Sequence, residues 1–136
     1  ARQNGVPDAV ANVIPEHHGT TLMRFFWDAA QQQNKRPKEE DFRYLGPKPR
    51  SKETAIVMMA DAVEAASRSL SEPDEPKIRR LVRTIFTDRI TDGQLDDAPL
   101  TSRELGRMQH AFIASILSDR HKRIKYPDKK RKHARS

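Results

Sequence analysis

The chain has 136 residues, enough for one domain with a modest core, and its hydrophobic fraction of 35% is lean. Its formal charge of +7 is localised: nine Lys or Arg against two Asp lie between Asp119 and Ser136, so residues 1–118 are electrically balanced. Without cysteine, disulfides, thiolate zinc sites and cysteine nucleophiles are excluded, and metal chemistry would have to use His and carboxylates.

No stretch approaches the roughly 20 apolar residues that span a bilayer, and the N-terminus lacks a signal-peptide pattern, so a soluble segment is expected. The opening Ala1-Arg2-Gln3-Asn4-Gly5, without Met, is read as the cut end of a helix. Val10, Val13 and Ile14 follow Pro7 at helical spacing and predict a short helix over Asp8–Ile14, with Pro15 disfavouring its continuation. After the Glu16-His17-His18-Gly19 corner, Thr20 is placed to cap a second helix with Leu22, Phe25, Phe26 and Ala29 as its apolar stripe. Pro37, Gly46, Pro47 and Pro49 make residues 35–50 a loop.

Ser51 opens the strongest helix, with Ile56, Val57, Ala60, Val63, Ala66 and Leu70 as the expected buried face. Asp74 caps a fourth helix carrying Ile78, Leu81, Val82, Ile85 and Ile90, closed by Asp92-Gly93. Thr101 and Glu104 form a capping box for a last helix, which carries Leu105, Met108, Phe112 and Ile116 inward and runs to about Ile124. No segment alternates as a strand does, so the fold class is all-α with about five helices. Residues 128–136, rich in Lys and Arg, are expected as a disordered basic tail.

His17 and His18 stand at a helix-to-helix corner, where adjacent imidazoles point in different directions and can serve metal or substrate. Asp61 interrupts an apolar, Ala-rich helix, and a buried unpaired carboxylate would call for a cation, an Arg or several donors. Each residue also has a bland reading: adjacent His as solvated or capping groups, and a mid-helix Asp on an exposed face. In the loop, Arg43 and Lys48 suit phosphate oxygens and Tyr44 suits stacking, while the plainer alternative is a surface loop with Arg43 in a salt bridge. Glu64, near Asp61, is either its hydrogen-bonding partner or a solvated or paired carboxylate.

The words around these residues carry more. Ile14-Pro15-Glu16-His17-His18-Gly19-Thr20-Thr21-Leu22, then Asp41-Phe42-Arg43-Tyr44-Leu45-Gly46-Pro47-Lys48-Pro49, then Ile56 to Ala66 resemble three successive blocks of the seven-transmembrane HD phosphohydrolases. Asp92-Gly93-Gln94-Leu95-Asp96 with Leu100-Thr101, and His121 to Pro127, resemble the end of the same domain, so residues 1–127 are similar to its C-terminal portion.

The resemblance implies a helical HD domain that binds two divalent ions, iron or manganese, and hydrolyses cyclic di-AMP to a linear dinucleotide. By matching position it assigns His17, His18 and Asp61 to the metals. Beside that assignment, the chemistry of Arg43, Tyr44 and Lys48 makes them the expected substrate contacts. The resemblance also implies a parent protein with a membrane region upstream, its domain on the cytoplasmic face, and further ligands N-terminal to this chain. The isolated chain is therefore expected to be inactive and open to self-association. The alternative from another class is a helical binding module whose basic tail docks on nucleic acid or an anionic membrane, with steep salt dependence and indifference to metals. A third possibility is a degenerate domain that only supports partner assembly.

Overall fold

The structure is a computed structural model that describes residues 8–33, 36–72 and 74–125; the expected basic tail lies outside them, as does the side chain of Val10. Five helices follow in order: α1 (Asp8–Glu16), α2 (Arg24–Gln32), α3 (Lys52–Ser67), α4 (Glu75–Thr91) and α5 (Ser102–Lys125), with a 3-10 turn at Glu39–Phe42 before α3. Among the described residues the only strand-like pairing is one antiparallel bridge between Leu22 and Arg43. None of these helices is long and apolar enough to cross a membrane.

Three helix starts follow the expected chemistry. Ser51 accepts a hydrogen bond from Thr54 N at 3.1 Å, and Asp74 accepts one from Lys77 N at 3.0 Å. At α5, Glu104 Oε1 accepts from Thr101 N and Thr101 Oγ1 accepts from Glu104 N, both at 3.1 Å, which closes the capping box.

The core lies between α3, α4 and α5. Ala55, Met58, Met59 and Val63 of α3 meet Ile78, Val82 and Phe86 of α4 and Met108 and Ile113 of α5, and Leu95 and Ala98 fill the connection. Phe86, fully buried and 5.9 Å from the Phe112 ring, is the largest side chain in this cluster and carries a burial contribution of roughly 2–3 kcal/mol.

Three sequence expectations shift in position. α1 continues through Pro15 to Glu16, because the proline ring forgoes one hydrogen bond while its fixed φ suits the last turn. The buried face of α3 is rotated: Thr54, Ala55, Met58, Met59 and Val63 are inside, whereas Ile56 and Val57 are exposed. Apolar and small residues wrap most of this helix, so spacing alone selects no single face.

α2 starts at Arg24 rather than just after Thr20, whose amide and hydroxyl are engaged by Gln94 instead. Its stripe is also not buried among the described residues. Phe25 is 80% and Phe26 60% exposed, and the inward contact comes from Trp27 against Phe42 at 5.7 Å. The reason is that, among the described residues, α2 packs mainly on the short 3-10 turn, which is too small to cover the stripe.

Candidate metal centre

α1 ends in the corner that carries both histidines. His17 N continues the helix to Val13 O at 2.9 Å, and the His17 Nδ1 then faces the carbonyl oxygens of Val13 at 3.0 Å and Ile14 at 2.8 Å. Carbonyls only accept, so Nδ1 carries the proton and the lone pair sits on Nε2. This is the way a metal-ligating histidine is commonly oriented, by an acceptor behind its free nitrogen.

The His17 and His18 rings lie 4.0 Å apart, tilted by 41°, and Tyr44 stacks on His18 at 4.4 Å and 10°. Burial lowers the His18 pKa below its ordinary 6.5, the nearby His17 lowers it further, and Asp61 opposes both. His18 is thus biased toward the neutral form, in which one ring nitrogen keeps its lone pair.

Asp61 reaches the histidines from α3, which packs on α1. One donor atom from each of His17, His18 and Asp61 lies within 4.8 Å of the others. Two imidazole nitrogens and a carboxylate form a donor set suited to divalent first-row ions, and the half-buried histidines and exposed Asp61 leave space for further ligands. The residues present fit such an ion. Of the two placements weighed for Asp61, buried or on an exposed face, the structure has the second: it stands on the exposed side of α3, facing the corner.

The loop residues divide. Tyr44 is beside the histidines, its backbone N–H bonded to Thr21 O at 3.1 Å. Lys48 approaches the α4–α5 connection: a Cβ built on Gly93 would lie 3.4 Å from Lys48 Nζ and 3.0 Å from Asp96 Oδ2. Arg43 is taken up by protein groups, in the manner of the salt-bridge alternative. It donates to both Asp92 oxygens at 3.0 Å, to Glu39 Oε1 at 2.7 Å and to Thr20 O at 2.8 Å. These hydrogen bonds raise the Arg43 pKa above its ordinary value and hold that of Asp92 below its ordinary 3.8. Glu64 pairs with Arg68 at 3.3 Å, both well exposed.

Two buried polar residues had no role from spacing. Glu16, 2% exposed, accepts from Arg50 N at 2.9 Å and Arg50 Nε at 3.3 Å, tying the end of α1 to the entry of α3. Gln94, 0% exposed, bonds to Thr20 and Asp92. Both lie inside the blocks that carry the resemblance, which was the available signal.

Sequence and structure comparisons find the same relatives. The chain is 41% identical over 126 residues to the cyclic-di-AMP phosphodiesterase PgpH of Bacillus subtilis, covering 93% of this chain and 18% of that protein. It is 40% identical over 129 residues to PgpH of Listeria monocytogenes, covering 95% of this chain and 18% of that protein. The crystal structure of the L. monocytogenes PgpH HD domain in complex with cyclic di-AMP matches with a TM-score of 0.82 at 38% identity, over 86% of this chain and 55% of that domain chain. The chain is similar in sequence and fold to the PgpH HD domain. It shares that domain's all-helical fold and spans under a fifth of the PgpH proteins it matches. No protein-family model matches it.

Proposed function

We propose that this chain contributes three metal ligands, His17, His18 and Asp61, to a phosphodiesterase centre that hydrolyses cyclic di-AMP to a linear dinucleotide. The observation that carries the reading is the convergence of these side chains to within 4.8 Å from a corner and a helix far apart in sequence. The PgpH names of the relatives and the cyclic di-AMP in the matched crystal structure supply the substrate.

In such centres divalent ions, here manganese or iron, supply an activated water near neutral pH and neutralise charge on the phosphodiester. This chain's residues do the holding. His17 presents Nε2 because Nδ1 is committed to the α1 carbonyls. Neutral His18 offers a ring nitrogen while Tyr44 fixes its ring plane. Tyr44, 39% exposed and stacked on His18, would lie against a base or ribose, and Lys48 would pair a phosphate oxygen from the loop. Arg43 acts from behind as a positioning residue, since its donors are already engaged. The same reading puts the chain on the cytoplasmic side of a membrane-anchored parent.

The test is Asp61→Ala in the longest natural form of the protein. Cyclic di-AMP turnover with manganese or iron should fall at least about 100-fold while helicity is retained. Full activity and full metal content in that variant would refute the assignment.

A further inference from the structure

Thr20, two residues past His18, is gripped at both its peptide groups by side chains from elsewhere in the chain. Gln94 Oε1 accepts from Thr20 N at 2.9 Å, and Arg43 Nη1 donates to Thr20 O at 2.8 Å. The two grips are joined. Gln94 Nε2 donates to Asp92 Oδ2 at 2.8 Å, and the same oxygen accepts from Arg43 Nη1 at 3.0 Å. The amide orientation of Gln94 is chemically fixed, because a backbone N–H can only donate and a carboxylate can only accept.

This closed ring is anchored outside the corner. Gln94 N bonds to Arg89 O at 3.0 Å, at the end of α4, and the Gln94 side chain is fully buried against Gly19, where a Cβ would come within 2.6 Å of Oε1. Arg43 leads directly into Tyr44, the residue stacked on His18. Gly19 also packs on Met58 and Pro49, and the polar contacts beside it are strengthened by that dry setting.

We infer that Gln94 is a positioning residue of the metal centre: through Thr20 it holds the His17-His18 corner in its ligating shape, and through Asp92 and Arg43 it holds Tyr44 over His18. This rests on the metal-centre reading above. Gln94 touches neither metal nor substrate. Its effect is on how well the imidazoles are preset, and groups supporting ligands in this way alter metal affinity by about 10–100-fold.

The chemistry of the ring supplies the experiment. Gln94→Glu keeps the acceptor for Thr20 N but turns a second oxygen toward Asp92, leaving two acceptors with no hydrogen between them. Adding Asp92→Asn restores a donor facing the introduced carboxylate and keeps an oxygen for Arg43 Nη2, while the Arg43 Nη1 bond to the former Oδ2 is given up. Manganese is titrated into the full chain, with paramagnetic broadening of the His17 and His18 ring resonances as the readout and thermal melting as a check of folding. Gln94→Leu and Gln94→Glu should raise the manganese midpoint about ten-fold, and the Gln94→Glu, Asp92→Asn double variant should recover part of that loss, the Arg43 side of the ring staying weakened. If Asp61→Ala shifts the midpoint while both Gln94 variants keep the wild-type value, or if the double variant recovers nothing, the positioning role is overturned and the metal reading stands. If Asp61→Ala leaves the midpoint unchanged, the metal reading falls and this inference falls with it.

Discussion

Gly19→Ala is the most exacting perturbation of the histidine corner that leaves every functional group in place. Gly19 has φ +53°, and a Cβ there would sit 2.6 Å from Gln94 Oε1, 2.8 Å from Met58 Cε and 3.4 Å from Pro49 Cδ. The left-handed backbone costs about 1–2 kcal/mol for a residue with a Cβ. Relieving the contacts adds about 1–3 kcal/mol of overpacking, because Gln94 is fully buried and can move only by giving up its bonds to Thr20 and Asp92. The expected loss is about 3 kcal/mol, or about 10 °C in melting temperature for a chain of this size. Urea titration followed by circular dichroism measures the first and a thermal scan the second. A loss under about 1 kcal/mol would show that the corner is loose, and would refute the claim that close packing of Gly19 on Gln94 sets its shape.

Phe86→Ala should destabilise the chain by about 3–5 kcal/mol in denaturant titration, since its ring is buried between α4 and α5 and nothing nearby can fill the space; a loss below about 1.5 kcal/mol would contradict the packing described. The Asp92–Arg43 pair predicts a pH dependence. The Asp92 pKa is held below its unfolded value near 3.8, so its contribution is complete above that value and is lost as pH falls through the lower folded value. The stability difference between wild type and Asp92→Asn should therefore be largest near neutral pH and shrink as pH falls below 3.8, and a difference that does not change with pH would remove the pair from the account.

What could be read from the sequence follows the range of the interactions involved. Ser51, Asp74 and the Thr101–Glu104 box mark their helix starts because a cap satisfies donors within three residues, and that distance is written in the chain. The core sides of α4 and α5 were legible in part, as polar residues interrupt their apolar stripes: Ile78, Val82 and Met108 are buried as expected, whereas Ile90 is 44% exposed and Phe86 and Ile113 enter the core from outside the expected faces. α3 offered no such contrast, and its exposed Ile56 and Val57 show that an Ala-rich helix can be packed in more than one phase. The stripe of α2 was legible as a pattern, yet a pattern does not show what lies opposite it. Gln94 reaches Thr20 across 74 residues and Glu16 reaches Arg50 across 34, and no spacing rule predicts which distant polar groups will meet in a dry place.

The three candidate ligands could be grouped from the sequence only through the wording of their surrounding blocks, and the structure shows why isolated residues said so little. Asp61 and the histidines are held by different physics. Asp61 rides on a helix whose other side is sealed into the core by Met58, Met59 and Val63, so non-directional burial sets its position. His17 and His18 sit on a short corner fixed by directional bonds: the α1 carbonyls behind His17, and Gln94 and Arg43 around Thr20. A change in the core should move α3 as a unit and lower global stability along with ligand geometry. A change in the polar ring should spoil the corner with a smaller effect on the melt, because few apolar contacts are lost. A different ratio of affinity loss to stability loss for these two classes of substitution is therefore a property of how the site is assembled, and it separates a placed metal centre from histidines that merely lie near a carboxylate.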